Sequence, residues 1–209
     1  MKEYIKKKII ITGGRGFIGS KLVDFFSNID CSLVIIDRSK KSVWKPKGSK
    51  ANIEYKKIDL LNIKDLNKTT IFNKASYIFH LAGSEINYDR DIYEDYRLNT
   101  LSLLNLLLTC KNLNVRPKII NASAAMIYGL TKDLPVNENN VNNPPSFWAL
   151  HKLYSEEYLR YFSKNYGFST ISLRLSNVYG PINRLDYFNK MILNKIIFLA
   201  YTNNIIYYF

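Results

Sequence analysis

Lys8-Ile-Ile-Ile-Thr-Gly-Gly-Arg-Gly-Phe-Ile-Gly-Ser20 is the stretch on which the fold turns. Ile9 to Thr12 is a short β-branched run and reads as a buried strand. It breaks into Gly13, Gly14, Gly16 and Gly19, and an apolar-periodic helix follows through Phe17, Ile18, Leu22, Val23, Phe25 and Phe26. Strand, glycine turn and helix, in that order, form the context in which a glycine motif holds a dinucleotide. Gly13 permits the tight turn, Gly16 lets the backbone approach a pyrophosphate, and Gly19 lets the helix pack close to the strand. The helix opens at Phe17 and Ile18, where unpaired N–H groups and the positive dipole end favour phosphate. The bare alternative is a glycine-rich turn with no ligand.

Outward from that turn, Ser32 to Ile36 reads as a second buried strand ending at Asp37, eighteen residues past Gly19. An acid there holds the ribose 2′-hydroxyl of NAD and repels the 2′-phosphate of NADP. Arg15, Arg38 and Lys40 lie close by and suit a phosphate, so NADP stays open. Ile53 to Ile58 is a third strand, running into Asp59-Leu60, and Ile63 to Phe72 a modest helix. Ser76 to Leu81 is a fourth strand, running into His80-Leu81-Ala82-Gly83; His80 reads as a packed strand-end residue. Residues 93–113 form a long helix with leucines on nearly every face, which places it in the core or at a subunit interface. Lys118 to Ala122, a helix over 147–165 closed by Gly167, and a sixth strand from Ser169 to Leu175 follow. Strands alternating with helices predict an α/β, doubly wound parallel sheet, a Rossmann arrangement with helices on both faces.

The 209 residues suffice for one sizeable domain, and 47% hydrophobic content is that of a globular chain. The net charge of +13 comes from scattered lysines, with one denser run from Arg38 to Lys57, and reads as compositional; nucleic acid is not expected as a partner. The apolar stretch after the basic N-terminus is too short for a signal peptide, and the tail from Ile196 to Phe209 too short to span a bilayer. Cys31 and Cys110 have neither metal nor redox spacing, so reduced thiols in a cytoplasmic protein are expected, with no metal site.

The three-and-three glycine spacing resembles the short-chain dehydrogenase/reductase superfamily, in particular its extended branch of NAD-dependent nucleotide-sugar epimerases and dehydratases of the UDP-glucose 4-epimerase kind. That resemblance implies NAD held by Gly13, Gly16, Phe17, Ile18, Gly19, Asp37, Asp59, Leu60, Leu81, Ala82 and Lys152. It also implies a nucleotide-sugar substrate oxidised and reduced again by transient hydride transfer. Asn99 matches an asparagine of the family, and helices 93–113 and 147–165 are the surfaces through which its members form homodimers.

The family's chemistry uses a Ser or Thr on the fifth strand, a Tyr as acid/base, and a Lys four residues later. Ala122-Ser-Ala-Ala-Met-Ile-Tyr128-Gly129 resembles the serine-rich stretch, yet aligned on Tyr128-Gly129 the hydroxyl position holds Ala124. Ser123 is one residue early, and on a strand that shift reverses the face. Pro144 to Glu156 resembles Pro-x-x-x-Tyr-x-x-Ser-Lys-x-x-x-Glu with Lys152 and Glu156 in place, Trp148 at the tyrosine position and His151 at the serine. An indole N–H donates but accepts no proton. Lys152 and Ser123 therefore remain as the catalytic candidates. Tyr154, His151 and Tyr128 are the groups considered as substitutes.

Leu173-Arg-Leu-Ser-Asn-Val-Tyr-Gly-Pro181 closely resembles the branch's Leu-Arg-x-x-Asn-Val-Tyr-Gly-Pro. The expected organisation is an NAD-binding domain over 1–181, followed over 182–209 by a remnant of the substrate lobe or a truncated tail, with one helix from Tyr187 to Leu199. Two functional readings stand: an enzyme of the branch, or a catalytically impaired NAD-binding subunit or decayed fragment. The sugar, and whether the reaction is epimerisation, dehydration or reduction, stay open.

Overall fold

In the computed structural model, residues 1–39, 48–87, 89–131, 134–181 and 192–203 are described. Strands β1 (Lys8–Thr12), β2 (Ser32–Asp37), β3 (Asn52–Lys57), β4 (Tyr77–His80), β5 (Lys118–Ala124) and β6 (Thr170–Leu175) form one sheet in the order β3-β2-β1-β4-β5-β6. The recorded pairings from β3 across to β5 are parallel. The chain winds outward in both directions from β1 and β4, which creates a crevice at their C-terminal ends. Helices α1 (Phe17–Ser27), α2 (Ile63–Lys68), α3 (Ile92–Tyr96), α4 (Ser102–Asn112) and α5 (Phe147–Tyr166) make the crossovers, and α6 (Ile192–Asn203) follows β6. This is the α/β Rossmann arrangement that the strand–helix alternation predicts.

The apolar run of β1 is central because Ile9, Ile10 and Ile11 bury both faces completely. Ile9 and Ile11 pack with Val23, Phe26, Leu33 and Ile35 on one side. Ile10 packs with Val34, Ile36, Leu66, Ile78, Leu103 and Ile119 on the other. A strand buried on both faces carries no polar alternation, which is why its sequence reads as continuous apolar.

Besides shifts of a residue at strand ends and a tail helix that runs to Asn203 rather than Leu199, three elements differ from their expected form. The helix begun at Ile63 ends at Lys68, since Thr69 turns extended and its hydroxyl accepts from the Ile71 N–H. The helix over 93–113 is α3 and α4 joined by a π-helical turn, Arg97–Leu101. That turn buries Asn99 and Thr100 against α5, where the Thr100 hydroxyl donates to the His151 carbonyl at 2.9 Å and the Ser155 hydroxyl to the Asn99 carbonyl at 2.7 Å. β5 continues two residues past Ala122, to Ala124. The α5 helix is as expected: Ser146 caps its first turn by accepting from the Ala149 N–H, and Gly167 ends it in the left-handed conformation. The residues from 187 to 191 and from 205 to 209 lie outside those described, as does Lys40.

By its contacts the chain divides into two compact units, Met1–Arg174 and Leu175–Phe209. Within the second, the Asn194 side chain bonds Gly180 on both its N–H and its carbonyl. No helix among the described residues is long and apolar enough to cross a membrane, and none of their His, Cys, Asp and Glu side chains group into a metal cluster.

Candidate active site

The glycine turn is built by contacts that exclude side chains. A Cβ on Gly13, whose φ is +66°, would stand 2.8 Å from the Leu81 and Ala82 backbone. A Cβ on Gly19 would stand 2.3 Å from the Gly13 carbonyl, so α1 lies directly on the turn. Gly16 differs: its Cβ would meet only the Gly13 carbonyl, at 3.1 Å, and its other side is open. That is a cradle a side chain would fill and a pyrophosphate can enter. No side chain caps α1 at Gly16.

Asp37 ends β2 beside this cradle, accepting from the Arg15 N–H at 3.3 Å and the Ser39 N–H at 2.9 Å. The Arg15 guanidinium lies over the Tyr55 ring, with Nε and Nη1 buried and without a partner among the described residues. Leu81 and Ala82 are pinned to β1 through the Thr12 carbonyl and hydroxyl, each at 3.2 Å. The Thr12 hydroxyl also meets His80 Nδ1 at 3.0 Å. Burial, with the Lys152 charge adding to it, pushes His80 down to about 3, so its imidazole is neutral near pH 7. Leu60 is buried, and its carbonyl accepts from Asn105; the Asp59 carboxylate accepts from the Leu61 N–H. The open glycine cradle, the strand-end acid and the unpartnered guanidinium nitrogens together fit a dinucleotide.

The other half of the site stands on β5 and α5. Trp148, Lys152 and Glu156 recur every four residues along one face of α5. The Lys152 amine donates to the Ala122 carbonyl at 3.2 Å and sits 5.5 Å from the Trp148 ring centre. It also lies 3.3 Å from where a Gly83 Cβ would be, against the turn that follows β4. Burial lowers Lys152 to about 8, with Asp95 opposing the shift. Trp148 reaches across the crevice, its indole N–H donating to the Ser84 carbonyl at 2.8 Å.

Ser123 and Ala124 are both buried at the end of β5. The Ser123 hydroxyl donates to Glu156 Oε1. Glu156 in turn receives Arg174 through Nε and Nη2, the shorter contact at 2.8 Å. Arg174 lies over the Tyr128 ring at 4.6 Å, and Glu156 together with the Tyr128 hydroxyl raises the guanidinium's pKa further. Ser123, Glu156, Arg174 and Tyr128 thus form one partly buried chain that ties β5 to α5 and β6.

His151 points away from Lys152, as residues adjacent on a helix do. Its Nδ1 is 3.3 Å from Asp95 Oδ2, and Tyr96, Phe147 and Tyr154 surround its ring. Asp95 also receives Ser84, Asn99 and Arg90. Asn99 completes the cluster by accepting from the Ser84 N–H. Sequence reasoning missed Ser84, Arg90 and Asp95. The four-residue spacing of Asp95 and Asn99 was the available local signal, and it does not reveal that Ser84 and His151 meet them.

The fold is a doubly wound Rossmann sheet whose glycine turn has the room for a dinucleotide. Residues 9–207 match the model of the NAD dependent epimerase/dehydratase family, and the chain belongs to that family. It is 31% identical over 178 residues to the putative UDP-glucose 4-epimerase of Methanocaldococcus jannaschii, covering 82% of this chain and 56% of that protein. It is 33% identical over 191 residues to the dTDP-4-dehydro-6-deoxyglucose reductase of Escherichia coli, covering 87% and 58%. The UDP-glucuronic acid 4-epimerase of Bacillus cereus, solved in complex with NAD, superposes with a TM-score of 0.76 at 26% identity, covering 94% of this chain and 63% of that one. The chain spans about half the length of the curated relatives it matches.

Proposed function

We propose that this chain binds NAD across the C-terminal ends of β1 and β4 and acts on a nucleotide sugar by transient hydride transfer. The observation that carries it is the open side of Gly16, set between the closed contacts of Gly13 and Gly19 and the Asp37 carboxylate. Gly13, Gly16, Phe17, Ile18 and Gly19 hold the pyrophosphate and Asp37 the ribose. Asp59 and Leu60 border the adenine, and Leu81, Ala82 and Lys152 the nicotinamide end. Bound there, the cofactor supplies a hydride acceptor. The chain's own part is to orient the ring against Leu81 and Ala82 and to keep a basic amine beside it.

In the same reading, residues 1–181 are the NAD-binding domain and 182–209 belong to the substrate lobe. Cys31 and Cys110 are buried thiols raised to about 11 and about 12 by burial, consistent with a cytoplasmic setting. The face of α4 and α5 carries an apolar groove of about 1030 Å³ that includes Leu104, Leu108, Tyr158, Tyr161 and Phe162, and the resemblance makes a second copy of the chain its proposed occupant.

Titration with NADH and NADPH, with thermal shift alongside, tests the reading. A ligand at a hundred times its Kd adds roughly 2.7 kcal/mol of apparent stability. NADH binding in preference to NADPH supports it, and absence of binding by either overturns it.

A second reading has its own observation. Trp148 and Ala124 occupy the acid/base and hydroxyl positions, and Ser123, next to Ala124 on β5, is spent on Glu156. In that reading the chain is an NAD-binding subunit impaired in chemistry, and reduced cofactor does not form with any nucleotide sugar.

A further inference from the structure

The chemistry half contains one amine whose surroundings serve no structural ion pair. Lys152 Nζ has a carbonyl (Ala122, β5), an indole face (Trp148, α5) and the Gly83 turn around it. The charged and titratable groups that act on it are His80 from β4 and Asp95 from α3. His80 is neutral. Asp95 is occupied by Arg90, Ser84, Asn99 and His151. Asp95 favours the charged amine, but burial outweighs it, and no carboxylate among the described residues forms an ion pair with Lys152.

The other candidates for proton transfer are committed elsewhere. Ser123 donates to Glu156, Tyr128 lies under Arg174, His151 is bonded to Asp95, and the Trp148 N–H is given to Ser84. Tyr154 is 45% exposed, two positions round the helix from Lys152.

We infer that the Lys152 side-chain amine is the proton-transfer group of this site, doing from one turn further along α5 what a hydroxyl at position 148 would do. The inference rests on the proposed hydride-transfer reading. The neutral amine takes the proton of the sugar hydroxyl as the hydrogen on the same carbon leaves with its electron pair to an oxidised nicotinamide. The C–O bond becomes C=O, and the amine becomes an ammonium. On return, hydride re-forms the C–H bond and the ammonium gives its proton back to the oxygen. The lowered basicity of Lys152, about 8, supports this, since an acid/base works best with a pKa near the operating pH.

The first test needs no turnover. Competitive acetylation of the folded chain with acetic anhydride across pH, read peptide by peptide by mass spectrometry, should show Lys152 reaching half its full reactivity near pH 8. Reactivity that follows the ordinary lysine value of 10.5 overturns the inference.

The second test uses the purified chain saturated with NAD and offered UDP-glucose as probe. Formation of reduced nicotinamide should rise with pH through the same inflection. Lys152→Met and Lys152→Arg should each lower it by roughly 100-fold or more at saturating NAD, with circular dichroism confirming that both fold. Signal that survives Lys152→Met, or wild-type protein that binds NADH and yields none at any pH, overturns the inference and leaves the cofactor reading intact. Failure to bind NADH removes the reading beneath it.

Discussion

The two halves of the crevice differ in kind. The dinucleotide half, from β1 through β4, is complete: each glycine has a contact or an opening that explains it, and Asp37 stands at the end of β2. In the proposed reading, the chemistry half, on β5 and α5, keeps its frame and carries other residues at its working positions. Lys152, Glu156 and Arg174 are in place, while Trp148 and Ala124 stand where a phenol and a hydroxyl would act. The binding half is made largely of backbone geometry, where a wrong residue disrupts the turn itself. The chemistry half is made of side chains on stable elements, where the helix and strand survive a change of residue.

The sharpest way to break that comparison is to restore the exchanged groups. Trp148→Tyr together with Ala124→Ser should raise formation of reduced nicotinamide from a nucleotide sugar and move its pH dependence away from the Lys152 inflection near 8, because a phenol then shares the proton transfer with the amine. An unchanged rate would mean that the difference between the halves lies deeper than these two side chains.

The frame itself should be costly to damage. Arg174→Met leaves Glu156 partly buried with its charge unpaired, and urea unfolding should show a loss of about 3 kcal/mol. The NADH Kd should change little, because the pair lies in the other half. Gly19→Ala attacks the dinucleotide half. Its new Cβ must displace the Gly13 carbonyl, which should cost about 1–3 kcal/mol in stability and weaken NADH binding in the same titration.

Asp37→Ala removes the acceptor set against the ribose. NADH affinity should fall about tenfold, or about 1.4 kcal/mol, while NADPH affinity rises. Equal losses for both would show that Arg15 dominates this edge of the site.

The smallest effect concerns acid. The folded His80 titrates near 3 and the unfolded one near 6.5, so between those values the unfolded chain binds the extra proton and stability falls as pH is lowered. Between pH 7.5 and 5.5 the His80 contribution should be about 1 kcal/mol. It should be absent in His80→Gln, as read by urea midpoints at the two pH values.

Much of this was legible locally. The β-branched run before Gly13, the leucine-rich stretch over 93–113 and the Gly167 signal at the end of α5 each carry their structure in neighbouring residues. The π turn at Arg97–Leu101 was not legible, because a run of leucines at helical spacing looks the same whether or not the helix takes an extra residue to seat Asn99 and Thr100 against α5. The end of the Ile63 helix turned on a single threonine hydroxyl, a competition too fine for periodicity.

The sequence by itself determined the parallel α/β order, the dinucleotide turn and the exchange at Ala124 and Trp148, since each depends on residue type and short spacing. Only the tertiary structure decided what the remaining side chains do. Trp148 meets Ser84 across 64 positions, His151 meets Asp95 across 56, and Ser123 meets Glu156 across 33. Those partners are chosen by the sheet order and by the angle at which α5 crosses the π turn. Such contacts form only once the chain has folded back on itself, and no local pattern encodes them.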